Sequence, residues 1–206
     1  MLYDKDIREP LFDYLEERYG KARMIEEKQM GRSRADIVMV LPGELAGIEI
    51  KSDADTYARL KRQVKDYDRF FDRNYVVAGS THAMHIGEHV PEYWGIISVE
   101  QMEEGVDFYM IREAARNPKM ELELKLRILW RPELAHIQAI CGMAKYGGKS
   151  KEFVRNKIAE GVPAEILNEL ISEELFERDY TEIRREIEAF RGEEEKMNKC
   201  TLLAHE

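Results

Sequence analysis

Two β-branched runs separated by Pro42-Gly43 constrain this chain more than any other part of its sequence. Residues 35–41 and 45–51 each have the length of a strand, and a Pro-Gly pair between two such runs predicts a hairpin. If Pro and Gly are the two turn residues, the register of the whole hairpin is fixed. In that register Asp36 lies directly opposite Glu49, with their β-carbons roughly 5 Å apart.

The type of turn leaves this register open. Pro followed by Gly favours a type II turn, whereas two-residue hairpin loops prefer types I′ and II′. A two-residue loop pairs Leu41 with Glu44, and a symmetric four-residue loop keeps the same register. A loop with an odd number of residues would instead move Asp36 to a position diagonal to Glu49.

Strand alternation sorts the hairpin side chains into a polar-rich face and an apolar face. The first face carries Asp36, Val38, Glu49 and Lys51, and the second carries Ile37, Met39, Ile48 and Ile50. Two carboxylates held side by side repel each other unless a cation or a proton lies between them. Oxygen ligands of this kind suit Mg²⁺ or Mn²⁺. Lys51 points at the same space, where it can activate a water or neutralise a developing charge.

A plainer interpretation is that Asp36, Glu49 and Lys51 are the solvated side of a two-faced hairpin. In both interpretations we expect Lys51 to lie on the strand surface. Substitutions at such positions change the free energy of unfolding by less than about 0.5 kcal/mol, so Lys51→Ala is expected to fold normally.

The remaining pattern predicts an α/β protein with a helical C-terminal extension. Helices are predicted at 7–19 and 56–72, and strands at 22–30, 35–41, 45–51, 75–78, 95–99 and 108–112. The expected core, residues 1–112, therefore contains a helix, a three-stranded antiparallel meander, a helix and a strand. Residues 113–206 are expected to form a helical region that ends in an acidic tail.

Composition excludes several classes of protein. The 206 residues are 44% hydrophobic and 35% charged, which is incompatible with a disordered chain. The longest aliphatic run, 37–41, is far shorter than the roughly 20 residues of a membrane span. The N-terminus lacks an apolar targeting core, and two cysteines are too few for a disulfide framework. We therefore expect a cytoplasmic protein without a membrane partner.

The net charge of −9 argues mildly against a duplex DNA partner, but binding needs only a local basic surface. The segment 145–157 supplies one, and Lys149, Lys151 and Arg155 are its candidate nucleic-acid contacts. The basic residues of 59–73 are interleaved with acids, so a solvated helix face explains most of them. His82, His85 and His89 have a spacing that a helix would bring to one side, but nearby Gly and Pro favour a loop or a short helix.

Three elements of the sequence together resemble the PD-(D/E)XK nuclease superfamily. They are Asp36, the run Glu49-Ile50-Lys51, and a helix carrying Gln63-Val64-Lys65-Asp66-Tyr67. The Gln-x-x-x-Tyr element is similar to that of exonuclease-type members, and the predicted order of elements is similar to the restriction-endonuclease-like core. Ala35 stands where the naming Pro would be, a gap that many members share.

The resemblance extends to a branch of bacterial and phage proteins in which a short helical tail follows the core. Its markers in this chain are Ala115-Arg116-Asn117-Pro118, Leu129-Trp130 and Lys149-Ser150-Lys151. The resemblance therefore covers residues 1–178 and leaves out the acidic tail.

The resemblance implies a Mg²⁺- or Mn²⁺-dependent deoxyribonuclease acting in repair, recombination, or phage and mobile-element biology. Asp36, Glu49 and the carbonyl of Ile50 would hold the metal, and Lys51 would position or deprotonate the attacking water. Gln63 would support the site from the helix, with Tyr67 and Arg34 in supporting positions. A third acid is expected from the first helix, where Glu9 is our choice and Glu27, on the first strand, the second candidate.

A different class of function is a non-catalytic module that binds nucleic acid or protein on the same fold. The intact Asp36, Glu49 and Lys51 favour the nuclease, whereas the acidic total charge favours the module slightly. The sequence does not separate DNA from RNA, an exonuclease from an endonuclease, or a monomer from a homodimer.

Overall fold

The computed structural model describes residues 3–52 and 55–178, which form a six-stranded sheet with helices on both faces. The strands are β1 (Arg23–Met30), β2 (Ser33–Leu41), β3 (Glu44–Lys51), β4 (Arg73–Gly79), β5 (Gly95–Gln101) and β6 (Val106–Arg112). The helices are α1 (Asp4–Tyr19), α2 (Leu60–Phe70), α3 (Ser80–Ile86), α4 (Leu122–Lys125), α5 (Arg131–Ile140), α6 (Lys151–Gly161) and α7 (Ala164–Glu177). Short 3₁₀ turns at Tyr57–Arg59 and Leu126–Ile128 precede α2 and follow α4.

The strands lie in the sheet in the order of the sequence. β1, β2 and β3 form the predicted antiparallel meander, and β4 then lies parallel to β3. β5 is parallel to β4, and β6 pairs antiparallel with β5 at the sheet edge. Parallel neighbours require a crossover, which α2 provides between β3 and β4 and α3 between β4 and β5. The prediction of a mixed α/β fold is confirmed.

One face of the sheet is covered by α1. Its stripe Ile7, Leu11 and Leu15 is fully buried. It packs in one hydrophobic cluster with the apolar hairpin face: Ile37, Met39, Ile48 and Ile50. The predicted alternation of the hairpin is thus confirmed, because the period-2 pattern of a strand sends these four side chains to the α1 side.

The other face is covered by α2 together with the C-terminal helices. Its hydrophobic cluster combines residues of β2 and α2 with residues of α5, α6 and α7, among them Val38, Tyr67, Leu134, Val154 and Leu167. The helical region therefore shares a core with the sheet. The division of the chain after residue 112 stays a prediction about folding units.

A buried ion pair fixes the helical region to the sheet. Lys125 of α4 is fully buried, and its Nζ donates to Asp72 Oδ2 and to Asn168 Oδ1, each at 2.6 Å. The same Asp72 oxygen accepts from the backbone N–H of Leu45 at 2.7 Å. Burial lowers the pKa of Lys125, and the Asp72 carboxylate opposes that shift. One lysine therefore joins β3, the end of α2, α4 and α7.

None of the helices in the described part of the chain is both long enough and apolar enough to cross a bilayer.

We expect Lys125→Met to lower the free energy of unfolding by about 3–5 kcal/mol, because the substitution leaves Asp72 buried and without its cation. Urea denaturation measures the change. Lys157→Met is the matched control, since Lys157 forms an exposed pair with Glu160 and exposed pairs contribute about 0–1 kcal/mol. The double variant Lys125→Met/Asp72→Asn should recover part of the loss. Equal losses in Lys125→Met and Lys157→Met would contradict the anchoring role.

Candidate functional site

The β2–β3 hairpin has the register predicted from a two-residue turn. Leu41 pairs with Glu44, and the pairing continues to Ile37 and Ile48. Gly43 has a φ of 71°, a value that favours glycine at the second turn position. Asp36 and Glu49 occupy the next opposed positions, just beyond the last backbone pair. The N–H of Ile50 donates to Asp36 Oδ2 at 2.8 Å, so the Asp36 carboxylate closes the end of the hairpin.

The β1–β2 ladder is interrupted at the same place. Glu27 stands opposite Asp36, because its neighbours pair in register on either side, and Glu27 has a φ of 55°. The Asp36 backbone is bonded to side chains: its N–H donates to the Tyr67 hydroxyl at 3.3 Å, and its carbonyl accepts from Arg8 Nη1 at 3.0 Å. The register of the ladder is the same on both sides of Glu27, and a positive φ at a residue other than glycine is uncommon and is often found at functional sites.

Glu49 is the buried centre of a polar network. Its side chain is 2% exposed, and Lys51 Nζ donates to its Oε1 at 2.6 Å. Gln63 Nε2 donates to the same oxygen, while the Tyr67 hydroxyl donates to Oε2 at 2.7 Å. Lys51 Nζ also donates to Gln63 Oε1 at 3.1 Å. The structure therefore brings Glu49, Lys51, Gln63 and Tyr67 together around one carboxylate.

The burial of this network corrects two expectations. Glu49 and Lys51 do not form a solvated strand face, because both are at most 3% exposed. The exposed position from which we expected Lys51→Ala to fold normally is also wrong, so that expectation is revised. Removing the ammonium would leave the Glu49 carboxylate buried without its cation, which is strongly destabilising. The alternation of the hairpin did not predict this burial, because it does not show that α2, the next helix in the chain, packs over the polar face.

Tyr67 lies behind the carboxylates and is fully buried. Burial, followed by the charges of Glu49 and Asp36, raises its pKa well above the usual value. Its hydroxyl therefore stays protonated and donates to Glu49, while its oxygen accepts from Asp36. Tyr67 thus orients Glu49 through the carboxylate of Glu49, and Asp36 through the backbone N–H of Asp36.

Asp36 is the carboxylate that borders the open cleft, with 21% of its side chain exposed. Burial, and then the Glu49 charge, raise its pKa from 3.8 to about 7. The N–H of Ile50 and the charge of Arg8 oppose this shift. A carboxyl in this position is stabilised by a proton or by a cation placed next to both acids.

Arg8 is a site residue that sequence reasoning missed. Its guanidinium pairs with Asp4 at 2.8 Å, with Glu27 at 2.9 Å and with Glu26 at 3.3 Å, and it lies 3.8 Å from Asp36 Oδ1. The sequence indicated this position of Arg8 only weakly. Asp4 and Arg8 are four residues apart on one helix face, but nothing in the sequence says that this face meets β1 and β2.

The structure places Glu9, our choice for the third acid, outside the cleft. Glu9 is exposed on α1 and does not line the cleft, whereas Asp4 of the same helix and Glu27 of β1 do. Asp4 and Arg8 share the side of α1 that faces the cleft, and Glu9 points about 100° away from Arg8 around the helix axis. Glu27, the second candidate, lies at the cleft and pairs with Arg34 at 2.5 Å.

The cleft has a volume of about 460 Å³. Its lining combines acids, arginines and neutral polar groups: Asp4, Arg8, Glu27, Gln29, Arg32, Ser33, Arg34, Asp36, Glu49, Ile50, Lys51, Asp55, Arg59, Arg62 and Gln63. The predicted site residues Asp36, Glu49, Ile50, Lys51, Gln63 and Arg34 all belong to it, while Tyr67 lies beneath. The arginines come from α1, from the β1–β2 turn and the start of β2, and from the start of α2, and only Arg34 was predicted as a site residue.

The predicted nucleic-acid contacts Lys149, Lys151 and Arg155 lie elsewhere, at the start of α6 and outside the cleft lining. Burial and then Arg155 lower the pKa of Lys151. Burial and then Arg178 lower the pKa of Lys28 to about 8. The structure thus forms a second cationic region, to which β1 contributes through Lys28.

The three histidines do not converge. His82 lies in α3, and its Nδ1 is hydrogen-bonded to the Tyr57 hydroxyl at 2.9 Å. The centre of the His89 ring lies 4.4 Å from the centre of the Tyr57 ring. His85 faces Glu88 at 3.5 Å. Within residues 3–52 and 55–178, no group of three or more His, Cys, Asp or Glu side chains could hold a metal ion.

A divalent ion nevertheless fits the chemistry of the two carboxylates. Mg²⁺ usually keeps several waters and uses only one or two protein carboxylates. Asp36 and Glu49 supply these, and Ile50 also lines the cleft. Burial and then the charge of Glu49 raise the pKa of Asp36, and a cation next to both carboxylates would favour their charged forms. The residues present therefore fit the metal that the motif implies.

We expect Asp36→Asn to change how stability depends on pH. Between about pH 4 and 7 the folded state holds a proton on Asp36 that the unfolded chain has released, because the folded pKa is about 7. The contribution of Asp36 to the free energy of unfolding therefore falls as pH rises through that range. Asn keeps an acceptor for the Ile50 N–H but carries no charge. The variant should exceed wild type in stability at pH 8, by up to about 4 kcal/mol, and much less at pH 4.

Urea unfolding at pH 4 and pH 8 measures this difference. Asp13→Asn, which changes an exposed acid of α1 outside the cleft, is the control and should leave the pH dependence unchanged. An Asp36→Asn variant with the pH profile of wild type would show that Asp36 does not carry the raised pKa.

Comparison with known proteins gives a family for the chain. A solved structure, that of Pyrococcus furiosus SfsA in complex with Ca²⁺, matches with 16% sequence identity and a TM-score of 0.34. The match covers 54% of this chain and 60% of that chain. No curated protein matches the sequence. The family model described as Bacteriophage P4 protein cII matches residues 1–200, so the chain belongs to that family.

Proposed function

We propose that this protein is a metal-dependent nuclease of the PD-(D/E)XK type that hydrolyses DNA phosphodiester bonds. One observation carries the proposal: Glu49, Lys51 and Gln63 are joined in a buried hydrogen-bond network beside Asp36, which opens onto a cleft. Burying the charged groups of Glu49 and Lys51 beside a second carboxylate costs desolvation free energy. Such an arrangement is typical of a functional site.

The order of elements supports the proposal. α1, the β1–β2–β3 meander, α2 and a β4 strand parallel to β3 follow the order of the restriction-endonuclease-like core that the motif predicts. Asp36 lies on β2, Glu49 and Lys51 on β3, and Gln63 on α2. The elements that carry motif residues therefore meet at one end of the hairpin, next to the cleft.

Each residue of the site can have a separate role in the hydrolysis of a phosphodiester bond. Asp36, Glu49 and the Ile50 carbonyl would hold Mg²⁺ or Mn²⁺. When bound, the ion would polarise a phosphate oxygen and lower the pKa of a water. Lys51 is fixed by Glu49 and Gln63 and presents its charge where a water can be oriented or a developing negative charge stabilised. Tyr67 holds the second oxygen of Glu49 in place.

The family supports a setting for this activity. Its description names a protein of bacteriophage P4, which is consistent with phage or mobile-element biology. Action in DNA repair or recombination is part of the same proposal.

A second candidate is a non-catalytic module that binds nucleic acid or protein, and Arg8 is the observation that favours it. Arg8 bonds the Asp36 carbonyl and pairs with Asp4, Glu26 and Glu27. The acids around Asp36 are thus partly neutralised by the chain itself, as a site that never holds a metal would require.

The direct test is incubation of the protein with linear, circular and branched DNA in the presence of Mg²⁺ or Mn²⁺, with EDTA as the blank. Cleavage of any of these substrates that EDTA abolishes supports the nuclease. Binding of DNA without cleavage under all conditions supports the module.

We expect Asp36→Asn to lose both metal binding and turnover, whereas Lys51→Met should keep metal binding and lose turnover by roughly 10²-fold or more. The methionine retains the buried aliphatic stem of Lys51 but not its charge. Calorimetry with Mg²⁺ or Mn²⁺ measures binding, and single-turnover cleavage of one DNA measures the rate. Glu9→Gln, an exposed change on α1, is the control and should remain within about twofold of wild type.

Because Lys51 is buried against Glu49, each variant is first checked for folding by circular dichroism and urea unfolding. The double variant Lys51→Met/Glu49→Gln serves as a folded reference if Lys51→Met alone is too unstable. A folded Lys51→Met variant that cleaves DNA as fast as wild type would refute the role of Lys51.

A further inference from the structure

The β1–β2 turn presents an unusual set of polar groups to the cleft. Gly31 and Arg32 form the turn between the paired residues Met30 and Ser33. Arg32, Ser33 and Arg34 all line the cleft, directly before Ala35 and the site residue Asp36. Three consecutive residues with hydrogen-bond donors therefore reach the same space as the carboxylates.

Ser33 is the residue that most needs an explanation. It is 5% exposed, and its hydroxyl oxygen is buried without a hydrogen-bond partner among the described residues. A buried hydroxyl without a partner costs about 1–3 kcal/mol, so such groups in folded proteins require a reason. Since Ser33 borders the cleft, a ligand in the cleft can accept a hydrogen bond from it.

The neighbouring cations indicate the charge of that ligand. Arg32 and Arg62 are exposed, line the cleft and form no ion pair within the part of the chain that the structure describes. Two further arginines each have an acidic neighbour. Arg34 forms an ion pair with Glu27 at 2.5 Å, and Arg59 lies 4.0 Å from Asp55. Two unpaired guanidinium groups beside an unpaired hydroxyl form a site for an anion.

Packing brings these residues together from two elements. A β-carbon added to Gly31 would lie 3.1 Å from Asp66 Oδ1, so the β1–β2 turn lies against α2. Gly31 also has a φ of 53°, a conformation that glycine adopts without strain. Arg62 is one helical turn before Asp66, and Arg32 follows Gly31. Close approach at this glycine therefore places the turn arginine near the helix arginine.

We infer that Arg32, Ser33 and Arg62 bind a phosphate of the DNA backbone next to the phosphodiester that Asp36 and Glu49 face, with Arg34 and Arg59 beside them. This inference rests on the proposed function and names how its substrate is held. The carboxylates alone would repel a DNA strand, and the chain carries a net charge of −9. A local basic rim supplies the attraction that binding a polyanion requires.

Ser33→Ala provides the sharpest test, because the substitution removes no hydrogen bond within residues 3–52 and 55–178. We expect its stability to equal or exceed that of wild type, while its affinity for DNA falls by about tenfold, the value of one hydrogen bond to a charged group. Affinity is measured by fluorescence anisotropy with a labelled duplex in EDTA, so that no cleavage occurs. Ser98→Ala, a buried serine on β5 outside the cleft, is the matched control.

The arginines are tested by the salt dependence of the same binding. Arg32→Gln/Arg62→Gln should reduce the slope of log K against log salt concentration by about 1.8, as expected for two lost phosphate contacts on duplex DNA. Lys61→Gln/Arg116→Gln removes the same charge from two exposed residues outside the cleft and should change the slope little. All variants are also measured in an Asp36→Asn background, which removes one repelling carboxylate.

The outcomes separate this inference from the nuclease proposal. If Ser33→Ala and the double arginine variant bind like wild type and the controls, the rim does not hold phosphate, whatever the cleavage result. If neither the wild type nor the Asp36→Asn variant binds DNA, the inference is also wrong. If binding depends on the rim but DNA is never cleaved with Mg²⁺ or Mn²⁺, the rim stands and the nuclease proposal fails.

Discussion

The register of the β2–β3 hairpin is the constraint on which the site depends. A slip of one residue would send every side chain of a strand to the opposite face, which would separate Asp36 from Glu49 and move the apolar side chains away from α1. The two-residue turn at Pro42-Gly43 sets this register, and α7 packs against it. Ser172 Oγ accepts from the Gly43 N–H at 2.8 Å, and a β-carbon on Gly43 would meet the Glu169 side chain. The helical region is thus coupled to the geometry of the site.

Each side chain of the polar network around Glu49 is hydrogen-bonded to another member of the network. Both carboxylate oxygens accept hydrogen bonds, and Lys51 and Gln63 bond each other as well as Glu49. A buried ion pair is weak evidence for stability, since a well-packed apolar pair often does as well. A network with several matched partners does, however, fix side chains in one arrangement. Its value here lies in positioning Lys51 beside the cleft.

The electrostatics of the cleft follow from where each charge lies. Carboxylates lie at its floor, where burial raises the pKa of Asp36 to about 7. Arg8 reaches several of these acids from α1, and the remaining arginines stand at the β1–β2 turn and the start of α2. In the proposed function, the carboxylates would hold a cation and the arginines a phosphate. A local basic surface would then suffice to attract a polyanion, and a positive total charge would not be needed.

The sequence by itself determined the hairpin and the placing of Asp36, Glu49 and Lys51 on one of its faces, because strand period and turn length are local properties. Gln63 entered the prediction through the resemblance of its Gln-x-x-x-Tyr element. Only the tertiary structure decided the burial of Lys51, the position of Asp4 rather than Glu9 at the cleft, and the contacts of Arg8 with the surrounding acids. These depend on where α1 and α2 pack on the sheet. An apolar stripe indicates which side of a helix is buried, but the strands and polar side chains that lie beside that helix are set by contacts between residues in different segments.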